Sequence, residues 1–167
     1  MSLNNSLTLQ PLNKDTKYGS IDIIMGCMFS GKSTELIRLA NRYSVLEKKI
    51  LIINHSLDNR YSENAVATHS NQIMDCLSIS KLDDISSTKY NECDVLIIEE
   101  AQFFEDLTKF VKLSLMNNKT IYVAGLDGDS FMNPFGQILD LIPLCDSVKK
   151  LSALCVICKD GTPANFT

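Results

Sequence analysis

Residues 25–33 read "MGCMFSGKS": a glycine, four residues, then Gly-Lys-Ser. The run Gly26, Cys27, Met28, Phe29, Ser30, Gly31, Lys32, Ser33 fits G-x-x-x-x-G-K-[ST], a pattern that carries meaning only between a strand and a helix. That context is present. "SIDIIM" (20–25) is a short β-branched run, and "STELIRLANRYSVLEKK" (33–49) carries Leu36, Leu39, Ala40, Tyr43 and Leu46 at helical spacing. Between them the glycines let the backbone wrap closely, so that successive N–H groups and a helix N-terminus face an anion. In such a loop Lys32 reaches the β- and γ-phosphates of a nucleotide, Ser33 ligates Mg²⁺, and Thr34 carries the cradle into the helix. A glycine turn that merely starts a helix is the bland alternative.

Outward from this loop, strands and helices alternate. "ILIIN" (50–54) and "CDVLIIEE" (93–100) are continuous apolar runs, as expected for parallel strands covered on both faces. Between them "MDCLSIS" (74–80) reads as one strand and "KLDDISSTKY" (81–90) as a short helix. "EDLTKFVKLSLMNN" places Leu107, Phe110, Val111 and Leu115 on one helical stripe, "KTIYVAGL" supplies a strand over 120–125, and "SVKKLSAL" (147–154) a last one. The order predicts an α/β fold with a mainly parallel sheet and ligands at the carboxyl ends of its strands. Residues 1–17 read as a loose polar tail, 18–154 as the phosphate-loop domain, and 155–167 as the start of a further small unit.

Bulk properties narrow the function. A chain of 167 residues holds one domain with a real core, and a formal net charge of -4 supplies no basic field for nucleic acid. A small-molecule partner follows. The N-terminal stretch lacks the apolar core of a secretory signal, and no apolar run approaches the ~18–20 residues of a membrane span. The six cysteines show no framework typical of small secreted domains, which points to the reducing cytoplasm, with thiols free or on metal.

"VLIIEEAQFF" adds two carboxylates at the tip of a buried strand. Glu99, nearer the strand, suits Mg²⁺ or its water shell; Glu100, turned into the following loop, suits accepting a proton from a hydroxyl or from water. Two solvated acids opening a helix would be the alternative, and the phosphate loop weighs against it.

Together these stretches resemble the compact thymidine kinase family of cells and poxviruses, often called type II. The resemblance is carried by "GCMFSGKSTELIR", "DNRY", "TH", "IIEEAQFFEDL", "AGLDG", "PFGQILDLIPL" and "VKKLSALCVIC", in the family's order from residue 20 onward. It implies a RecA-like domain followed by a small zinc subdomain, a homotetramer, and transfer of the γ-phosphate of ATP to the 5′-hydroxyl of thymidine or deoxyuridine; dTTP is a candidate feedback inhibitor. Glu100 matches the family's catalytic base, Lys32 and Ser33 its phosphate and magnesium contacts, and Glu99 its strand-end metal acid. Arg60 matches an arginine near the phosphates, and Met28, Phe103, Leu126 and Phe135 match the walls of the deoxynucleoside pocket. Phe104 is expected in the core.

Cys155 and Cys158 have zinc-ligand spacing, and by resemblance form half of a tetrahedral Zn²⁺ site. The family's second pair, and the lasso loop that closes over the base, are expected beyond Thr167. Four positions depart from the pattern. Cys27 stands for a common proline, Glu99 for aspartate, Ala101 for glycine, and Ser130 for an aromatic, with Phe131 next to it as the candidate replacement on the pocket wall. Two rival functions are a phosphate-loop ATPase acting on a macromolecule, with Glu100 activating water, and a zinc-bearing binding module without catalysis. The first lacks further arginine-bearing motifs and a basic surface. Zinc content would separate the second.

Overall fold

The computed structural model describes residues 18–58, 65–67 and 73–167. In chain order the elements are β1 (Ser20–Gly26), α1 (Lys32–Val45), β2 (Ile50–His55), β3 (Ala65–Ala67), β4 (Ile73–Asp75), β5 (Leu77–Ile79), α2 (Ser87–Glu92), β6 (Val95–Ile98), α3 (Leu107–Met116), β7 (Thr120–Gly125), β8 (Ser147–Leu151), β9 (Ala153–Leu154) and β10 (Pro163–Ala164). Short 3₁₀ turns cover Leu82–Asp84, Ala101–Phe103 and Ile138–Leu144. The N-terminal tail read in the sequence lies outside the described residues.

The apolar runs form a six-stranded sheet in the order β5-β2-β6-β7-β1-β8, each neighbouring pair parallel. Alternation along each strand divides the side chains between two layers. Ile24, Ile52, Val95, Ile97, Tyr122 and Ala124 face α1, where Leu36, Ile37, Leu39 and Ala40 cover them. Ile21, Ile23, Met25, Ile53, Leu96, Ile98, Ile121 and Val123 face the other way, against Phe104, Leu107, Phe110, Val111, Ile138 and Leu141. This two-sided burial explains why the strand sequences read as unbroken apolar runs. β7 lies between β1 and β6, with Met25 opposite Gly125 and Ile98 opposite Val123, so the three strands point their carboxyl ends to the same edge of the sheet, β6 stopping two residues short of β7.

Several elements end earlier, or divide, where the sequence reads as continuous. α1 stops at Val45 because Glu47 takes a left-handed conformation (φ 55°) while its N–H bonds Ser44 O at 3.0 Å and Lys48 N–H bonds Tyr43 O at 3.2 Å. This is a Schellman closure with glutamate where glycine is usual. "MDCLSIS" divides at Cys76: β4 pairs antiparallel with β3, whereas β5 joins the edge of the parallel sheet. The helix read over 81–90 is a 3₁₀ turn and then α2, restarted by Ser86, whose Oγ accepts the Lys89 N–H at 3.4 Å. "SVKKLSAL" divides after Leu151, β8 pairing with β1 and β9 with β10.

α3 ends in a second Schellman closure. Asn118 takes the left-handed position (φ 57°), with Asn118 N–H on Leu115 O and Lys119 N–H on Ser114 O, both 3.1 Å. The turn delivers Lys119, only 9 % exposed, beneath the end of α2. Its Nζ donates to Tyr90 O at 2.9 Å, Cys93 O at 2.5 Å and Asn91 O at 3.5 Å, and lies 5.0 Å from the centre of the Tyr90 ring. A cation at a helix C-terminus satisfies the carbonyls that the helix leaves without partners. Lys119→Met keeps the stem but removes every donor, and is expected to cost about 1–3 kcal/mol of stability. Urea titration reads this as a lower midpoint at unchanged slope; an unaltered midpoint would show that the ammonium is dispensable.

Candidate active site

The phosphate loop begins where β1 runs out of partners that tolerate a side chain. Gly26 has φ +148°, and a Cβ there would lie 2.1 Å from Leu151 O on β8. Gly31, at φ +89°, immediately precedes α1, and Phe29 also takes a left-handed conformation (φ 61°) with its ring 70 % exposed. The loop therefore turns on positive φ values that glycine adopts without steric cost. Lys32 Nζ curls back to donate to Gly26 O at 3.0 Å and Cys27 O at 2.7 Å, and Ser30 Oγ is buried with no hydrogen-bond partner among the described residues. From the far end of the chain, Ala164 O accepts the Cys27 thiol at 3.1 Å and Thr167 Oγ1 accepts the Met28 N–H at 3.0 Å.

A cavity of about 480 Å³ opens over this loop. Residues 28–34 line it, joined by Leu57, Asp58, Glu100, Gln102, Phe103 and Leu126. The loop strand, the acidic strand and the tip of β7 thus contribute to one chamber.

Both strand-tip carboxylates are buried, Glu99 at 5 % and Glu100 at 8 % exposure. Buried charge requires partners. Glu99 keeps β6 in register through its N–H to Ile53 O at 2.8 Å, and its Oε1 accepts the Ser33 hydroxyl. Glu100 then adopts a left-handed backbone (φ 51°), which turns the chain out of the sheet and carries its side chain to the cavity wall. For a non-glycine residue this conformation costs roughly 1–2 kcal/mol. Glu100 Oε2 accepts from Gln102 Nε2 at 2.6 Å, and Gln102 Oε1 accepts the Leu126 N–H at 3.0 Å. Sequence reading passes over Gln102; its one signal is an amide two residues after a strand-tip acid, in an otherwise apolar stretch.

The apolar wall is built on a buried histidine. Phe103 meets Phe135 edge-on, centroids 5.5 Å apart at 88°. His55 packs on Phe103 (5.5 Å) and Phe104 (4.7 Å), and Phe104 is core, 1 % exposed, as its pairing with Phe103 suggested. His55 Nδ1 accepts the Leu57 N–H at 3.1 Å, so the proton resides on Nε2, which donates to Ser80 O at 3.2 Å. Burial lowers its pKa and favours the neutral ring.

Of the residues expected at the site, Met28, Phe29, Ser30, Gly31, Lys32, Ser33, Thr34, Glu100, Phe103 and Leu126 line the cavity, while Glu99 touches it through Ser33 and Phe135 through Phe103. Phe131 does not join them. Asp129 Oδ1 gathers the Phe131 and Asn133 N–H groups at 2.8 and 2.9 Å, Met132 turns left-handed, and the Phe131 ring is left at a loop tip, 80 % exposed. Arg60 lies outside the described residues. Cys155 and Cys158 occupy the turn between β9 and β10, with Cys158 N–H on Cys155 Sγ at 3.4 Å. Among the described residues no group of three His, Cys, Asp or Glu side chains gathers as a metal site.

The sequence model of the thymidine kinase family matches residues 19–167. The chain belongs to the thymidine kinase family. It is 44% identical over 144 residues to a thymidine kinase of Yaba monkey tumor virus, covering 86% of this chain and 78% of that protein. It is 40% identical over 158 residues to the cytosolic thymidine kinase of Homo sapiens, covering 95% of this chain and 67% of that one. A rice thymidine kinase is 41% identical over 155 residues, 89% of this chain and 56% of the relative. The six-stranded parallel sheet with helices on its faces agrees with the α/β fold expected from the sequence.

One ion-pair cluster braces the helix behind the loop. Glu35, in the first turn of α1, accepts a fork from Arg38 (2.7 and 2.9 Å) and a bond from Lys149 of β8 at 3.0 Å. The Arg38 hydrogen bond, with help from Lys149 and against partial burial, holds the Glu35 carboxyl down at about 2. A carboxyl depressed by folding stabilises the fold above its ordinary pKa, and that contribution is lost as pH falls toward the folded value. The stability difference between wild type and Glu35→Gln is therefore expected to be constant above roughly pH 5 and to shrink as pH drops toward 2, in urea titrations at stepped pH. A difference independent of pH across that window would contradict the assignment.

Proposed function

We propose that this chain transfers the γ-phosphate of ATP to the 5′-hydroxyl of thymidine or deoxyuridine, giving the 5′-monophosphate. The observation that carries the reading is the buried Glu100 carboxylate on the wall of the same cavity as Lys32, Ser33 and the glycine loop. Family membership supports it, since the relatives bear the name thymidine kinase.

The residues divide the work. The loop backbone and the start of α1 receive the phosphates, and the Ser30 hydroxyl, buried without a partner among the described residues, is a further donor on that wall. Lys32 moves from its own loop carbonyls to the β- and γ-phosphate oxygens. Ser33 and Glu99 would hold Mg²⁺; hydroxyl and carboxylate oxygens already in contact suit a hard cation that takes oxygen ligands. When bound, that ion would supply positive charge that offsets the negative charge of the transferring phosphate. Glu100 accepts the proton of the sugar hydroxyl as it attacks, and Met28, Phe103 and Leu126 give apolar surface for the base, with Phe135 backing Phe103. Arg60 is assigned to the phosphates on the resemblance alone.

The same reading takes Cys155 and Cys158 as two of four ligands to a structural Zn²⁺, thiolates in a tight turn being suited to it. It places the chain in the cytoplasm as a homotetramer inhibited by dTTP. The support is the family resemblance and the cytosolic human relative; among the described residues no helix is long and apolar enough to cross a membrane.

Glu100→Gln is expected to bind ATP normally but to slow transfer by ~10²–10⁴-fold, the scale of a lost general base; near-normal turnover would reject the role. Lys32→Ala is expected to weaken both ATP binding and turnover, and unchanged kinetics would count against the phosphate assignment. Glu99→Ala should raise the Mg²⁺ concentration needed for half-maximal turnover by ~10–100-fold, read by magnesium titration at saturating ATP. ATP consumption stimulated by nucleic acid, with no nucleoside monophosphate formed, would favour the ATPase reading instead.

A further inference from the structure

Gln102 is 3 % exposed, and both polar ends of its amide are engaged. Nε2 donates to Glu100 Oε2 at 2.6 Å, and Oε1 accepts the Leu126 N–H at 3.0 Å. The Leu126 partner dictates the orientation: a backbone N–H only donates, so the amide oxygen faces Leu126 and the nitrogen faces Glu100.

The surrounding backbone is shaped around this side chain. A Cβ at Gly125 would lie 2.4 Å from Gln102 Oε1, and one at Gly136, where φ is +63°, would lie 2.0 Å from the Gln102 carbonyl oxygen. The tip of β7 and the return of the loop after it both approach Gln102 more closely than an L side chain permits. The next residue, Gln137, ties the far end of that loop: its Oε1 accepts the Thr108 N–H at 2.9 Å and its Nε2 donates to Glu105 O at 2.6 Å. The loop that starts at Leu126 and carries Phe135 is thus anchored at both ends to the segment that follows Glu100.

We propose that Gln102 is a positioning residue for phosphoryl transfer, a two-ended tie that fixes the Glu100 carboxylate relative to the Leu126 loop. The proposal rests on the kinase reading above. Under it, seating the nucleoside against Leu126 and Phe103 and aiming the general base at the sugar hydroxyl become one geometric event. Without the amide donor the carboxylate samples other rotamers, and a displacement of about 1 Å in a reacting group costs up to ~10²-fold in rate.

The test uses the full chain with ATP, Mg²⁺ and thymidine. Gln102→Glu retains an acceptor for the Leu126 N–H and replaces the amide donor by a second carboxyl that must share a proton with Glu100; kcat is expected to fall ~10–100-fold with thymidine KM within about threefold of wild type. Gln102→Met removes both contacts, and is expected to show the same loss in kcat and a KM raised roughly tenfold. The deciding measurement adds Gln102→Met to Glu100→Gln: kcat should stay within about threefold of Glu100→Gln alone, because no general base is left to position. A glutamine that merely supports the fold would lower kcat by the same factor in both backgrounds, and that additivity overturns the proposal, as does wild-type kcat in Gln102→Glu. If Gln102→Met does not fold, the isosteric Gln102→Glu is compared in the same two backgrounds, with the same two outcomes. Near-normal turnover in Glu100→Gln alone overturns the kinase reading itself, which keeps the two failures distinguishable.

Discussion

The Ser33 hydroxyl and the Glu99 carboxylate meet across the width of a strand. Ser33 belongs to the helix that β1 feeds, Glu99 to the tip of β6, and β7 lies between the two strands. Their contact depends on the registers Met25 opposite Gly125 and Ile98 opposite Val123, which bring the carboxyl ends of three parallel strands to the same edge of the sheet. A shift of one residue in either pairing would exchange the two faces of the sheet as well as move the tips. The cores on both sides of the sheet therefore protect the geometry of the site.

What the site gains from this frame is the burial of two adjacent carboxylates with different partners. Glu99 remains in the ladder and meets a hydroxyl, an oxygen pair suited to a hard cation. Glu100 leaves the ladder through a left-handed turn and meets an amide on the cavity wall. The backbone turn at Glu100 separates the two side chains, and neighbouring side chains then hold each one. Glycines at 26 and 136 are necessary for the same reason: at each, a Cβ would overlap a backbone carbonyl oxygen of a neighbouring segment at 2.0–2.1 Å, while a Cβ at Gly125 would displace the Gln102 side chain. The chamber is a set of close backbone approaches lined by a few fixed polar groups.

The parts of the site that could be read in the chain are those whose chemistry is local. Gly26 to Ser33 is one short segment whose neighbours are a strand and a helix, and Glu99 and Glu100 end an unmistakable apolar run. Phe131 was expected on the pocket wall from its position in the chain, but Asp129 folds that loop on itself and turns the ring outward. Gln102 is not legible in the sequence because its partners lie in different parts of the chain: Glu100 is two residues away, the Leu126 N–H is twenty-four, and only the adjacency of β6 and β7 joins them. Lys119 is similar, an ordinary lysine in the sequence whose burial depends on where the closure of α3 points it.

By itself the sequence determined the strands at 20–25, 50–54, 93–98 and 120–125 and the helices after the glycine loop and before β7, that the sheet is mainly parallel, that a G-x-x-x-x-G-K-S loop precedes α1 and that acids follow β6. Each of these depends on periodicity or on residues close in the chain, where local sterics and hydrogen bonding act. Only the tertiary structure decided that β7 separates β1 from β6, where "MDCLSIS" and "SVKKLSAL" divide between sheets, which aromatic rings reach the cavity, and that a buried amide joins the Glu100 carboxylate to the loop beside it. Those outcomes depend on contacts between segments far apart in the chain, and their energies arise only when the layers pack.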